Sequence, residues 1–171
     1  RLLRTHAITT TYDDHGNLDY IYDVVDIGHK YDMSELDAAF ALSQLNKTDE
    51  FIKRRKEIAK IYENKLAGLK HIVTPSHKDE HIFSQYIVKV SRNRDVFAKA
   101  LKEQGISTGL HYIPLHLLSY YKNKYNLKIT TFGSALTSYQ QILSLPMYPS
   151  LTDDEVNYVC DKIIEIAETW V

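Results

Sequence analysis

The sequence has almost no cysteine, no surplus of charge and no long apolar run. Its single cysteine, Cys160, has no partner for an internal disulfide, which suits a reducing compartment. A free cysteine in an apolar helical stretch is ordinarily a small core residue. A net charge of −1 offers no field for nucleic acid or an anionic membrane surface, so neither is expected as a partner. No stretch approaches the roughly 20 apolar residues of a membrane-spanning helix, and no charged, apolar, small-residue series resembles a secretion signal. These absences lead to the expectation of a cytoplasmic protein. An initiator Met is missing too: the chain opens on Arg1-Leu2-Leu3-Arg4-Thr5-His6 with no capping residue, and reads as the continuation of a longer sequence. Internal repeats and low-complexity segments are absent.

What is present is a globular mixture, 44% hydrophobic and 25% charged over 171 residues, enough for one core with a helical extension. Residues 1–26 are polar and Tyr-rich and read as an extended loop or hairpin, with a turn at Asp13-Asp14-His15-Gly16-Asn17. Ser34, with Asp37 three residues on, starts a helix over about 33–45 whose apolar residues cover nearly the whole circumference, so burial on more than one side is expected against partners beyond this chain, and exposure in this chain by itself. A second helix runs from Thr48 to about Leu66, with Phe51, Ile58, Tyr62 and Lys65 or Leu66 on one face and the run Lys53-Arg54-Arg55-Lys56-Glu57 as a mostly solvated stripe. After the turn residues Thr74-Pro75-Ser76-His77, the β-branched and aromatic run 81–90 predicts a strand with Tyr86, Val88 and Val90 on one face. The pattern then predicts a helix over 94–104 with Val96, Phe97, Ala100 and Leu101 inward, a strand over 106–112, a helix over 132–141 and a short strand over 143–147. Thr152-Asp153-Asp154-Glu155 is a full capping-box match for a last helix with Val156, Val159, Ile163, Ile166 or Ala167, and Trp170 on its stripe. The fold class is α+β.

Two stretches are dense in polar function. Gly28-His29-Lys30-Tyr31-Asp32 stands just before a helix N-terminus, where free N–H groups, the helix dipole and a lysine together favour a phosphate. Leu110-His111-Tyr112-Ile113-Pro114-Leu115-His116 ends a predicted strand at a proline and holds two imidazoles and a phenol. His111 and His116 have neither a nearby cysteine nor an evident third ligand, so no metal site is assigned; His77 and His81, four apart in a linker, read as solvated.

Four segments, in order, resemble the C-terminal half of DegT/DnrJ-type sugar aminotransferases: 28–45, 52–59, Gly109-Leu110-His111-Tyr112-Ile113-Pro114-Leu115-His116, and 143–152. The resemblance implies a fold-type I, aspartate-aminotransferase-like enzyme that uses pyridoxal 5'-phosphate (PLP) to move an amino group, usually from glutamate, to a nucleotide-linked keto-sugar. Cell-surface polysaccharide and glycan synthesis is the usual setting, and a homodimer the usual assembly. It further implies that residues 1–50 are a remnant of the large PLP-binding domain, 51–69 a connecting helix and 70–171 the small C-terminal α+β domain. In such enzymes the lysine that holds the cofactor, the aspartate on its pyridine nitrogen, the aromatic residue on its ring and the Gly-Thr phosphate contacts lie upstream of the segment resembled here. No catalytic residue is therefore assigned, and this chain by itself is expected to be inactive. Where the family commonly has Gly-Tyr-Asn-Tyr-Arg in the loop that reaches the partner subunit's cofactor phosphate, this sequence has Gly28-His29-Lys30-Tyr31-Asp32. Lys30 and Asp32 are the implied cofactor-binding residues, although Asp32 would be repelled by a phosphate unless paired or turned away. His111, Tyr112 and His116 are the implied substrate contacts. A sugar dehydratase of the same fold and a non-catalytic binding or assembly domain are the rival expectations.

Overall fold

The computed structural model describes residues 8–9 and 23–169, which fall into two compact units, Arg1–Thr48 and Asp49–Val171. In the first unit, β1 (Ile8–Thr9) pairs antiparallel with β2 (Asp23–Val24), Ile8 opposite Val24. The turn expected at Asp13–Asn17 lies outside the described residues. Helix α1 (Glu35–Leu45) begins where Ser34 accepts the Asp37 N–H at 3.1 Å, satisfying one of the four N–H groups a helix start leaves open. Its apolar residues are uncovered in this chain by itself, as expected for a helix whose partners lie beyond it: Leu36, Phe40 and Leu45 are 81%, 68% and 64% exposed.

The second unit is built on a three-stranded antiparallel sheet in the order β3–β4–β5, where β3 is Ile72–Val73, β4 Tyr86–Val90 and β5 Ile142–Leu145. Period two puts Tyr86, Val88 and Val90 on the buried face of β4. They join Ile58, Tyr62 and Leu66 of α2 (Thr48–Leu66), Phe97 and Leu101 of α3 (Arg94–Glu103), and Val156, Val159, Cys160, Ile163 and Ala167 of α6 (Asp153–Glu168). Each large side chain buried in this cluster contributes about 1.5–3 kcal/mol over its exposed state. Trp170, expected on the stripe of α6, lies outside the described residues.

Two expectations change. The stretch 106–112 is not a strand: Gly109 alone meets β5, exchanging both main-chain bonds with Ser144 at 2.9 and 2.8 Å. Gly105, at φ +77°, ends α3 with the Ile106 N–H on the Leu101 carbonyl at 3.0 Å, and after the Gly109 bridge the His111 ring, not its main chain, returns to Ser144. The third strand is instead the two-residue β3, ahead of the Thr74–His77 turn. On α3, Val96 is exposed and Arg94 is buried, its Nη1 donating to the Ile142 carbonyl at 3.2 Å and its guanidinium 5.4 Å from the Tyr139 ring.

The basic run of α2 divides by residue. Lys53 and Lys56 are exposed, but Arg55 Nη1 donates to the carbonyls of Phe83, Ser84 and Met147 at 3.1, 3.1 and 3.0 Å. Arg54 pairs with Asp153 at 2.8 Å and donates to the Leu151 carbonyl. Between α3 and β5 the chain makes a long excursion containing a 3₁₀ turn (Leu115–Leu117), α4 (Ser119–Lys124), a second 3₁₀ turn (Ile129–Phe132) and α5 (Gly133–Gln141). From Ile106 to Leu143 the one residue buried between them is His116.

Candidate functional site

The chemistry-bearing residues stand on two segments, one in each unit. In the first unit, 28–33 leads into the Ser34 cap of α1. His29 and Tyr31 stack with ring centroids 5.0 Å apart and 16° between planes, the geometry of alternate residues on one side of an extended chain, which sets Lys30 on the other side. Lys30 and Asp32 are both exposed.

In the second unit the Gly109 bridge to Ser144 anchors the other segment. One turn of chain later, His111 folds back so that its Nδ1 lies 2.8 Å from Ser144 Oγ, and Ser144 itself is 5% exposed. A Cβ at Gly109 would stand 2.8 Å from His111 Cε1, so a side chain there would displace the imidazole. The sheet, through one residue of β5, thus holds both the main chain and the ring. Tyr112 follows with its ring edge-on to His111 at 4.9 Å and 72% of its surface exposed. An imidazole fixed at Nδ1 keeps Nε2 for an outside partner, and the phenol beside it can donate or accept.

His116 does not join them at the surface. The 3₁₀ turn after Pro114 carries it inward, where it is 4% exposed, its ring 5.3 Å from Phe132, and its Nε2 has no hydrogen-bond partner among the described residues. His77 and His81 are exposed, as expected, and also make local contacts. Both rings pack on Phe83, at 4.7 and 4.4 Å, and His81 Nδ1 accepts the Phe83 N–H at 3.0 Å.

The sequence reading missed Gly109 and Ser144 as parts of this arrangement. Both stand inside the quoted motifs, but the bond between them spans the excursion and has no local signal. Cys160 is buried in the core as expected, and burial pushes its thiol up to about 12.

Residues 1–164 match the DegT/DnrJ/EryC1/StrS aminotransferase family. The chain is 34% identical over 97% of its length to MJ1066 of Methanocaldococcus jannaschii, an uncharacterized protein, and 32% identical over 98% to SpsC, a spore coat polysaccharide biosynthesis protein of Bacillus subtilis. It spans 45% and 46% of those two proteins, about half their length. Among solved structures, Spr1654 of Streptococcus pneumoniae, described as a sugar aminotransferase, superposes in its PMP form with a TM-score of 0.89 at 28% identity, covering 99% of this chain and 44% of that one. The α+β arrangement is therefore that of part of a fold-type I enzyme, and the chain belongs to the DegT/DnrJ/EryC1/StrS aminotransferase family.

Proposed function

We propose that this chain is the C-terminal part of a PLP-dependent sugar aminotransferase that moves the amino group of glutamate onto a nucleotide-linked keto-sugar for cell-surface polysaccharide or glycan synthesis. The observation that carries the reading is the His111–Ser144 contact at 2.8 Å, which joins two of the four family-like segments into one preformed wall. SpsC, by its name, serves polysaccharide synthesis, and Spr1654 has been solved in PLP and PMP forms; both support the substrate class and the cofactor.

The roles follow from the groups present. His111 and Tyr112 offer an imidazole nitrogen and a phenol to sugar hydroxyls or diphosphate oxygens, and the ring held by Ser144 loses little freedom on binding. His116, expected as a third substrate contact, is buried against Phe132, so it reaches a substrate only if the Leu115–Leu117 turn opens. Lys30, exposed just ahead of the capped start of α1, fits a phosphate as a point charge assisted by free helix N–H groups. Asp32 approaches that phosphate only when its carboxylate is paired. When bound, PLP supplies the electron sink for amino transfer. In this reading residues 1–50 belong to the large domain, 51–69 connect, and 70–171 form the small domain of a cytoplasmic homodimer, with Lys30 serving the partner's site.

The test uses the protein expressed from its whole gene, with PLP, ¹⁵N-glutamate and UDP- or dTDP-linked keto-sugars, read by mass spectrometry. An ¹⁵N-labelled amino-sugar product is expected, while the chain Arg1–Val171 alone gives none. Loss of water without gain of nitrogen would make the protein the dehydratase of this fold. No turnover at all would leave a binding or assembly domain.

A further inference from the structure

All 22 of the chain's Asp and Glu residues lie outside one stretch: between Glu103 and Asp153 there is not a single carboxylate. That stretch contains the excursion, and its charged side chains are Lys122, Lys124 and Lys128, all exposed. Among the described residues none of the three is ion-paired to a carboxylate, whereas Arg54, Lys65, Arg94 and Lys162 elsewhere in the unit each are. A run of this length without an acid leaves a local positive field on a chain whose net charge is close to zero.

Within that field one cation is held in place. Lys124 Nζ stands 5.3 Å from the centre of the Tyr120 ring and 5.5 Å from that of Tyr125, and donates to the Tyr120 hydroxyl at 3.2 Å. The spacing of four residues brings Tyr120 and Lys124 onto one side of α4. The two rings are 64% and 58% exposed, so they do not serve the core. An ammonium between tyrosine faces is restrained by their quadrupoles yet keeps donors for an anion, and exposed tyrosine faces are platforms on which bases stack. Phosphate and heteroaromatic base are the two halves of one ligand class. The cluster is also continuous with the wall: the Leu115–Leu117 turn follows Tyr112 in the chain and packs against α4 and the Ile129–Phe132 turn. His116, with its unpartnered buried Nε2, lies in that junction.

We propose that Tyr120, Lys124 and Tyr125 receive the nucleoside-diphosphate end of the substrate, Lys124 at the diphosphate and the tyrosine faces at the base. The proposal deepens the aminotransferase reading and rests on it for the sugar end. Lys122, two residues away on another side of α4, and Lys128 add to the field without sharing the cluster.

The experiment is calorimetric titration of the protein expressed from its whole gene with UDP, dTDP, GDP and CDP, and with pyrophosphate and uridine as the separate halves. At least one diphosphate nucleotide is expected to bind more tightly than either half, and less tightly in 500 mM than in 50 mM NaCl. Lys124→Ala should weaken that nucleotide about tenfold, a charge-assisted hydrogen bond's worth. Lys124→Arg should restore most of the affinity, Tyr120→Leu and Tyr125→Leu should bring the nucleotide's affinity toward that of pyrophosphate, and Lys102→Ala on α3 should change nothing. Failure of all four nucleotides to bind, or binding within twofold of wild type in Lys124→Ala, overturns the proposal. Amino transfer measured in the same preparations separates the two readings. Transfer with an unchanged KM in Lys124→Ala removes the cluster and leaves the reaction, whereas lost nucleotide affinity in that variant without any transfer in the wild type removes the reaction and leaves the cluster.

Discussion

At the scale of single residues, Ser144 is the least conspicuous and the most constrained. It is nearly fully buried, pairs both main-chain groups with Gly109 and bonds the His111 ring. Ser144→Ala keeps the backbone bridge and removes the ring's partner, so a stability loss of about 1 kcal/mol is expected in urea unfolding, with a several-fold higher KM for the sugar nucleotide in the whole-gene protein. His111→Ala should raise that KM further at nearly unchanged kcat. Cys160 gives a second test. Its thiol, raised by burial to about 12, should not react with a disulfide reagent at pH 8 in the folded protein and should react once urea unfolds it. A thiol pKa raised on folding stabilises fully below the unfolded value of roughly 8.5 and less as pH climbs from there toward 12, since only the unfolded chain then releases the proton. Cys160→Ala should flatten that alkaline decline. Motif reading reached His111 and Tyr112 because imidazole and phenol advertise chemistry. It overlooked Ser144 and Gly109 because their function lies in what they hold.

At the scale of elements, helix starts are written in short-range chemistry and sheets are not. The Thr152 hydroxyl accepts the Glu155 N–H at 3.3 Å while the Glu155 carboxylate accepts the Thr152 N–H at 2.8 Å, the reciprocal pair that the sequence spells out. Thr152→Ala should lower stability by about 1 kcal/mol, and Thr152→Ser should recover most of it. The Thr152 N–H and hydroxyl hold the Glu155 carboxyl below the usual carboxylate range. Its contribution is present above the unfolded value of roughly 4.3 and is lost as pH falls through the lower folded one, so acid unfolding of Thr152→Ala should begin at higher pH. The bounds of α2, Thr48 and Leu66, also fall where the sequence puts them. The strand expected over 106–112 was not legible, because whether an extended segment pairs is decided by a neighbour distant in sequence, here β5, which meets Gly109 alone. Nor could composition separate Arg55 from Lys53 and Lys56, because its three carbonyl partners are distant in sequence.

At the scale of the whole molecule, α1 shows what patterning reveals and what it leaves open. Its apolar circumference signals a helix made for contact, and Leu36, Phe40 and Leu45 are exposed in this chain. Purified Arg1–Val171 is expected to elute in size-exclusion chromatography well above its 19.8 kDa mass, and Leu36→Glu with Phe40→Glu should return it to the monomer position. A monomer already in the unaltered chain would count against α1 as a contact face. The excursion between Ile106 and Leu143 has a different consequence. It leaves the core at one buried residue and re-enters at another, tied down between them by buried His116 and by the contacts of Gly109 and His111 with Ser144. Folding of the second unit is thus specified by residues on either side of it, while what the molecule recognises is specified within it. The segment can be rewritten as an exchangeable cassette, so that a relative's ligand preference could be transplanted by replacing 107–141 around retained Gly109, His111 and His116 while the sheet and three packed helices stay as they are.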